Sequence, residues 1–121
     1  MTDDEKIAKG RELAAKLFAG SKRRGAPMPD KFQAHTMGHL FGDVWQDRDL
    51  SLEEHSLVTC TVLVALYRLN EQYVHFQGAK NLGIPRSKIE AMIAHVAHYA
   101  GWPCAASAYG VLDEVWPKDE V

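Results

Sequence analysis

Cysteine is scarce in this chain, neither sign of charge is in excess, and no apolar run is long enough to cross a bilayer. Cys60 and Cys104 form neither a Cys-x-x-Cys pair nor a zinc-ligand spacing. Both are expected to be free thiols, with Cys60 a small buried residue. Acidic and basic residues intermix to a formal net charge of -2 over 121 residues. That excludes the basic stripe of a nucleic-acid binder, so no nucleic-acid partner is expected. No stretch approaches the ~20 apolar residues of a membrane span, and no membrane partner is expected. The charged stretch Thr2-Asp3-Asp4-Glu5-Lys6 is unlike a secretory signal, which points to a cytoplasmic protein. Strand-like alternation, internal repeats and low-complexity segments are also missing.

What is present is helical punctuation. With 46% hydrophobic and 25% charged residues, the chain can bury a real core as a single domain over 1–121. Apolar residues Ile7, Leu13, Leu17 and Phe18 predict an amphipathic helix over 4–19, stopped at Gly20. The basic run Lys22-Arg23-Arg24 sits among glycines and prolines and reads as a solvated loop. A second helix is expected over 30–41 with Asp30 as its N-cap. Ser51 and Glu54 make a capping box for a long helix over 52–69. Its apolar residues run nearly all round, which predicts burial, with a break near Asn70. A helix over 71–82 stops at Gly83. Pro85 opens a helix to Tyr99, and Pro103 opens a last one through Val115. The expected fold class is all-α: about six helices packed as antiparallel pairs.

The chemistry-bearing stretch is the junction around Arg68, Glu71 and His75. Glu71 and His75 are four apart and share a helix face, and Arg68 lies three residues before Glu71. A cation, a carboxylate and an imidazole at the end of an apolar helix pair with one another, face water or do chemistry. A salt-linked helix junction at a subunit interface is the alternative to an active site. His35 and His39 are also four apart, a geometry able to bind metal from one helix face. With no third ligand nearby, a packing or pocket role for His39 is preferred and no metal is expected. Trp45 either covers the core or lines a pocket. His95 and His98 lie near the core stripe of their helix, as core or surface histidines or as pocket residues.

Taken in order, several pieces resemble the carboxymuconolactone decarboxylase family over nearly the whole chain. They are His39-Leu40-Phe41-Gly42-Asp43-Val44-Trp45, Ser56-Leu57-Val58-Thr59, Glu71-Gln72-Tyr73-Val74-His75, Ala79-Lys80-Asn81-Leu82-Gly83 and Tyr99-Ala100-Gly101-Trp102-Pro103. The wider superfamily includes thiol peroxidases of the alkyl hydroperoxide reductase D type, with Cys-x-x-Cys and a His four residues on. Here Arg68 and Glu71 stand at the two cysteine positions while His75 is kept. Thiol–disulfide exchange therefore does not carry over, and Arg/Glu/His looks like the decarboxylase branch. His95 stands where that branch has a Gln, and Trp102 replaces a smaller residue. Both departures point to a substrate related to the family's lactone.

The resemblance implies an AhpD-like fold, a homo-oligomer (trimer or hexamer) and a pocket near subunit contacts. It also implies decarboxylation of 4-carboxymuconolactone, or a related carboxylated lactone, to 3-oxoadipate enol-lactone in aromatic-compound catabolism. The electrons left by carbon dioxide can rest in a conjugated enolate, so no cofactor is needed. For that small anionic substrate, Arg68 is the carboxylate clamp, His75 the proton donor and Glu71 its orienter. His39 is an oxyanion donor or second acid. His95 contacts the substrate, and Trp45 and Trp102 supply an apolar wall. Another small-molecule enzyme on this scaffold (an isomerase, a hydrolase or a reductase using Cys60 or Cys104), or a binding or assembly protein, are the competing readings.

Overall fold

Two local motifs set the long helices in register. Thr2 and Ser51 each close a full capping box, with Glu5 and Glu54 returning the bond to the cap backbone. In the computed structural model, which describes residues 1–21 and 26–120, the order is α1 (Asp3–Leu17), α2 (Asp30–His35), a π-helical segment (Thr36–Phe41) and a 3-10 turn (Val44–Gln46). There follow α3 (Leu52–Ala65), α4 (Leu69–Asn81), α5 (Arg86–Ala100), α6 (Trp102–Val115) and a last 3-10 turn (Lys118–Glu120). The described residues are helical throughout, with no strand. The Lys22-Arg23-Arg24 run lies outside them.

The expected helix over 30–41 is not one α-helix. Pro29, not Asp30, occupies the N-cap, and the chain widens into a π-helix after His35. The reason is tertiary. Here α1 crosses this segment backbone to backbone, so a Cβ at Gly10 would fall 1.7 Å from the Met37 carbonyl oxygen. One at Gly42 would fall 2.1 Å from that of Lys6. Side chains at those points would force the two elements apart.

The central helix also ends earlier than its apolar run. A C-terminal cap closes α3, with Tyr67 N–H donating to the Val64 carbonyl and Arg68 N–H to that of Leu63. Such a cap needs a left-handed residue, and Tyr67 takes φ 61° despite its Cβ. The same motif with glycine, Gly83 at φ 83°, closes α4. Nor is α3 buried all round: Val58 and Val62 are about half exposed.

Contacts show the pairing to be antiparallel. In the first pair, Cys60 faces His75 and Leu63 faces Gln72. In the second, Tyr109 reaches Glu90 while Arg86 reaches Trp116. These four helices enclose the larger core, around Phe76, Ile89, Ile93 and Leu112. A smaller core, Leu13, Leu17, Phe41 and Trp45, joins α1 to the π segment and the 3-10 turn. His75 sits where the two meet.

Candidate active site

The cap at Tyr67 turns the chain so that Arg68 stands at the N-cap of α4. Its Nε donates to Glu71 Oε1 at 3.0 Å, and both side chains are well exposed. An exposed pair of this kind adds under about 1 kcal/mol to stability. Among the described residues no other partner of Arg68 appears, which leaves its terminal guanidinium nitrogens to solvent.

One turn on, His75 points inward. Its ring meets Phe18 edge-on at 5.3 Å and stacks on Trp45 at 6.4 Å. Its Nδ1 is buried without a partner among the described residues. Burial pushes the imidazole pKa down to about 4, against the pull of the Glu71 charge. His75 is therefore neutral at pH 7, held in an aromatic wall with a charged pair at its rim.

The other candidate residues divide. Trp45 belongs to the smaller core and also faces His75. Trp102 opens α6 at the same end of the bundle as Arg68, since Cys104 Sγ approaches Ala65 O at the end of α3 and Ala100 O at the end of α5. There Trp102 is 66% exposed and packs edge-on against His98. His95, exposed one turn before Tyr99, stacks on that ring at 5.2 Å. His39 is exposed, lining a cleft of about 310 Å³ with Asp3, Lys6, His35 and Asp43. Among the described residues no group of three or more His, Cys, Asp or Glu is placed to hold a metal ion.

Both cysteines are free. Burial raises the Cys60 thiol to about 12, and its Sγ donates to the His75 carbonyl. A thiol held protonated this way is a poor nucleophile. Cys104 is half-buried.

Two residues carry more than their sequence context suggests. His55, buried at the start of α3, stacks on Trp45 at 5.6 Å. Arg86, 3% exposed, donates to the Trp116 carbonyl and pairs with Glu90 and Asp113. Neither lies in a spacing that marks chemistry. Only their position after Ser51 and Pro85, near helix starts, was visible.

The model of the carboxymuconolactone decarboxylase family matches residues 30–114, most of the chain, from α2 into α6. The chain belongs to this family. It is similar to the 4-carboxymuconolactone decarboxylase of Acinetobacter baylyi, with 28% identity over 96% of this chain and 90% of that one. It is also similar to the nitrosuccinic acid decarboxylase of Metarhizium robertsii, with 26% identity over 79% of this chain and 67% of that one. Both relatives are named decarboxylases, which supports a carboxy-lyase kind of activity for this family member. Their different substrates keep the family from fixing which carboxylate is lost.

Proposed function

We propose that this protein is a cofactor-independent carboxy-lyase acting on 4-carboxymuconolactone or a related carboxylated lactone. The product would be 3-oxoadipate enol-lactone or its counterpart, in aromatic-compound catabolism in the cytoplasm. The observation that carries the reading is the arrangement at the start of α4: an arginine with open donors, and two turns further along a neutral, desolvated histidine.

In this reading Arg68 holds a substrate carboxylate through its planar fork while Glu71 fixes the guanidinium by Nε. Carbon dioxide leaves with its carbon–carbon bond broken, and the electron pair passes into the conjugated enolate. One proton must then reach carbon. With its pKa lowered by burial to about 4, His75 is neutral at pH 7, and a neutral imidazole is a weak acid. A bound dianion supplies the missing driving force, because negative charge beside the ring favours its protonated form. His75 takes up a proton as substrate binds and delivers it to the enolate carbon. Trp45 and Phe18 keep water off the ring. His39, in the cleft it lines with Lys6 and Asp43, remains a proposed second acid, and His95 and Trp102 proposed substrate contacts.

The end of the bundle that carries Arg68 also exposes Leu66, Tyr67, Tyr99 and Trp102. Grouped exposed apolar side chains favour association. We propose a homo-oligomer, trimer or hexamer, in which neighbouring copies close the site over Arg68 and Glu71.

The test is an ultraviolet assay with freshly made carboxymuconolactone, followed by carbon dioxide release. Turnover by the wild type and its loss in folded His75→Gln are expected. No turnover of the lactone by folded wild-type oligomer would remove this substrate.

A further inference from the structure

We propose that His55 is a positioning residue for His75, acting through the ring of Trp45. This deepens the reading of the site given above and rests on it for the catalytic consequence only. Trp45 is carried by a three-residue 3-10 turn and packs into the smaller core with Leu13, Leu17 and Phe41. What fixes it comes from outside the turn. His55 Nε2 lies 2.9 Å from the Asp47 carbonyl oxygen and donates to it, tying down the backbone two residues beyond Trp45. The same His55 ring lies nearly parallel to the Trp45 indole, at 23°. The indole also meets Phe41 at 5.5 Å and the His75 ring at 29° and 6.4 Å. One side chain thus holds both the loop and the ring that screens the proton donor.

His55 is suited to this because it is itself held. It follows the Ser51–Glu54 capping box within the first turn of α3 and is buried. A purely apolar residue would fill the space equally well but would leave the Asp47 carbonyl without this donor. Beside the turn lies a cleft of about 250 Å³ lined by Trp45, Asp47, Arg48 and Leu50. It gives the indole somewhere to move when the stack is released. Around His75 the groups described are Phe18, Trp45, the Glu71 carboxylate and the Cys60 thiol, which bonds the His75 carbonyl. Of these, only Trp45 is placed by His55.

The experiment follows the His75 ring protons by NMR across a pH titration, in wild type, His55→Ala, His55→Phe and His55→Gln, with turnover measured in parallel. His55→Phe keeps the stacked ring without the donor, and His55→Gln keeps a donor without the ring. In His55→Ala the ring-current displacement of the His75 signals should collapse. Its titration midpoint should rise by about one pH unit or more, toward the ordinary histidine value near 6.5. The Phe and Gln variants should each restore part of the wild-type behaviour. Val64→Ala, a core truncation away from the stack, should leave the His75 midpoint in place. An unchanged midpoint and unchanged shifts in folded His55→Ala overturn the proposal. If that variant does not fold, the same result in both His55→Phe and His55→Gln overturns it. A His75 that responds to His55 in a protein inactive on the lactone upholds the positioning role and removes only the substrate.

Discussion

The two ends of the four-helix bundle each carry an arginine beside an acid, and they are built to opposite ends. At one end Arg86 is 3% exposed, with its Nε on the Trp116 carbonyl and its terminal nitrogens on Glu90 and Asp113. Each of its three nitrogens is bonded inside the chain, and Lys80 over the Trp116 ring closes the corner further. At the other end Arg68 is 63% exposed and bonds Glu71 alone among the described residues. A buried guanidinium with every nitrogen bonded ties α5 to α6 and to the residue that caps α6. An open, half-used one leaves its terminal nitrogens to water, and this is the group proposed above to meet the substrate carboxylate. Burial and the count of acceptors separate the two roles, although each arginine precedes a glutamate by three or four residues.

That contrast can be broken by mutation. The largest effect is expected at the open end: His75→Gln should lower kcat by about 10²–10⁴-fold, with circular dichroism and oligomer size unchanged. Arg68→Lys, which keeps the charge but loses the fork, should lower kcat/KM by at least about tenfold. Undiminished steady-state turnover in either variant would take that residue out of the site.

Stability should show the reverse order. Arg86→Ala leaves Glu90 and Asp113 to water but strands the Trp116 carbonyl, and should cost about 1–3 kcal/mol in urea unfolding. Arg68→Ala should cost under about 1 kcal/mol. Equal losses in the two variants would erase the distinction drawn between the ends.

A pH series sharpens the picture at His75. Its folded pKa of about 4 lies below the unfolded value of 6.5. The unfolded chain therefore binds the proton first as pH falls. The stability contributed by the neutral, buried imidazole is fully present above pH 6.5 and is lost as pH drops toward 4. The loss is about 3 kcal/mol at most. Denaturant midpoints of wild type against His75→Gln between pH 7 and 4 should converge accordingly. Parallel curves would mean that the imidazole is not desolvated. The smallest effect concerns sulfur: iodoacetamide should label Cys104 in the native protein while Cys60 stays unmodified by mass spectrometry.

Much of the fold was legible because its signals are local. The Ser51–Glu54 box and Gly83 each act within one turn, and both sit where their residue types imply. Other features depend on distant partners. The π-helix after His35 answers to α1 packing at Gly10, and nothing in residues 36–41 announces it. Tyr67 is an unexpected left-handed residue, so the end of α3 fell four residues before the expected one. The exposed Val58 and Val62 show that an all-apolar helix need not be covered within its own chain.

For the candidate site, spacing placed Glu71 and His75 on one face and Arg68 at its edge. It could not say that Arg68 and Glu71 stay at the surface while His75 turns inward, nor that His55 stands behind Trp45. The sequence by itself determined the helical class, most helix boundaries and the family, since these rest on patterns repeating over three or four residues and on ordered motifs. Only the tertiary structure decided which arginine is spent and which is open, and which histidine is kept neutral. Those properties come from how much water and how many partners reach a group, and its neighbours in space are supplied by α1, the 3-10 turn and α6, far away along the chain.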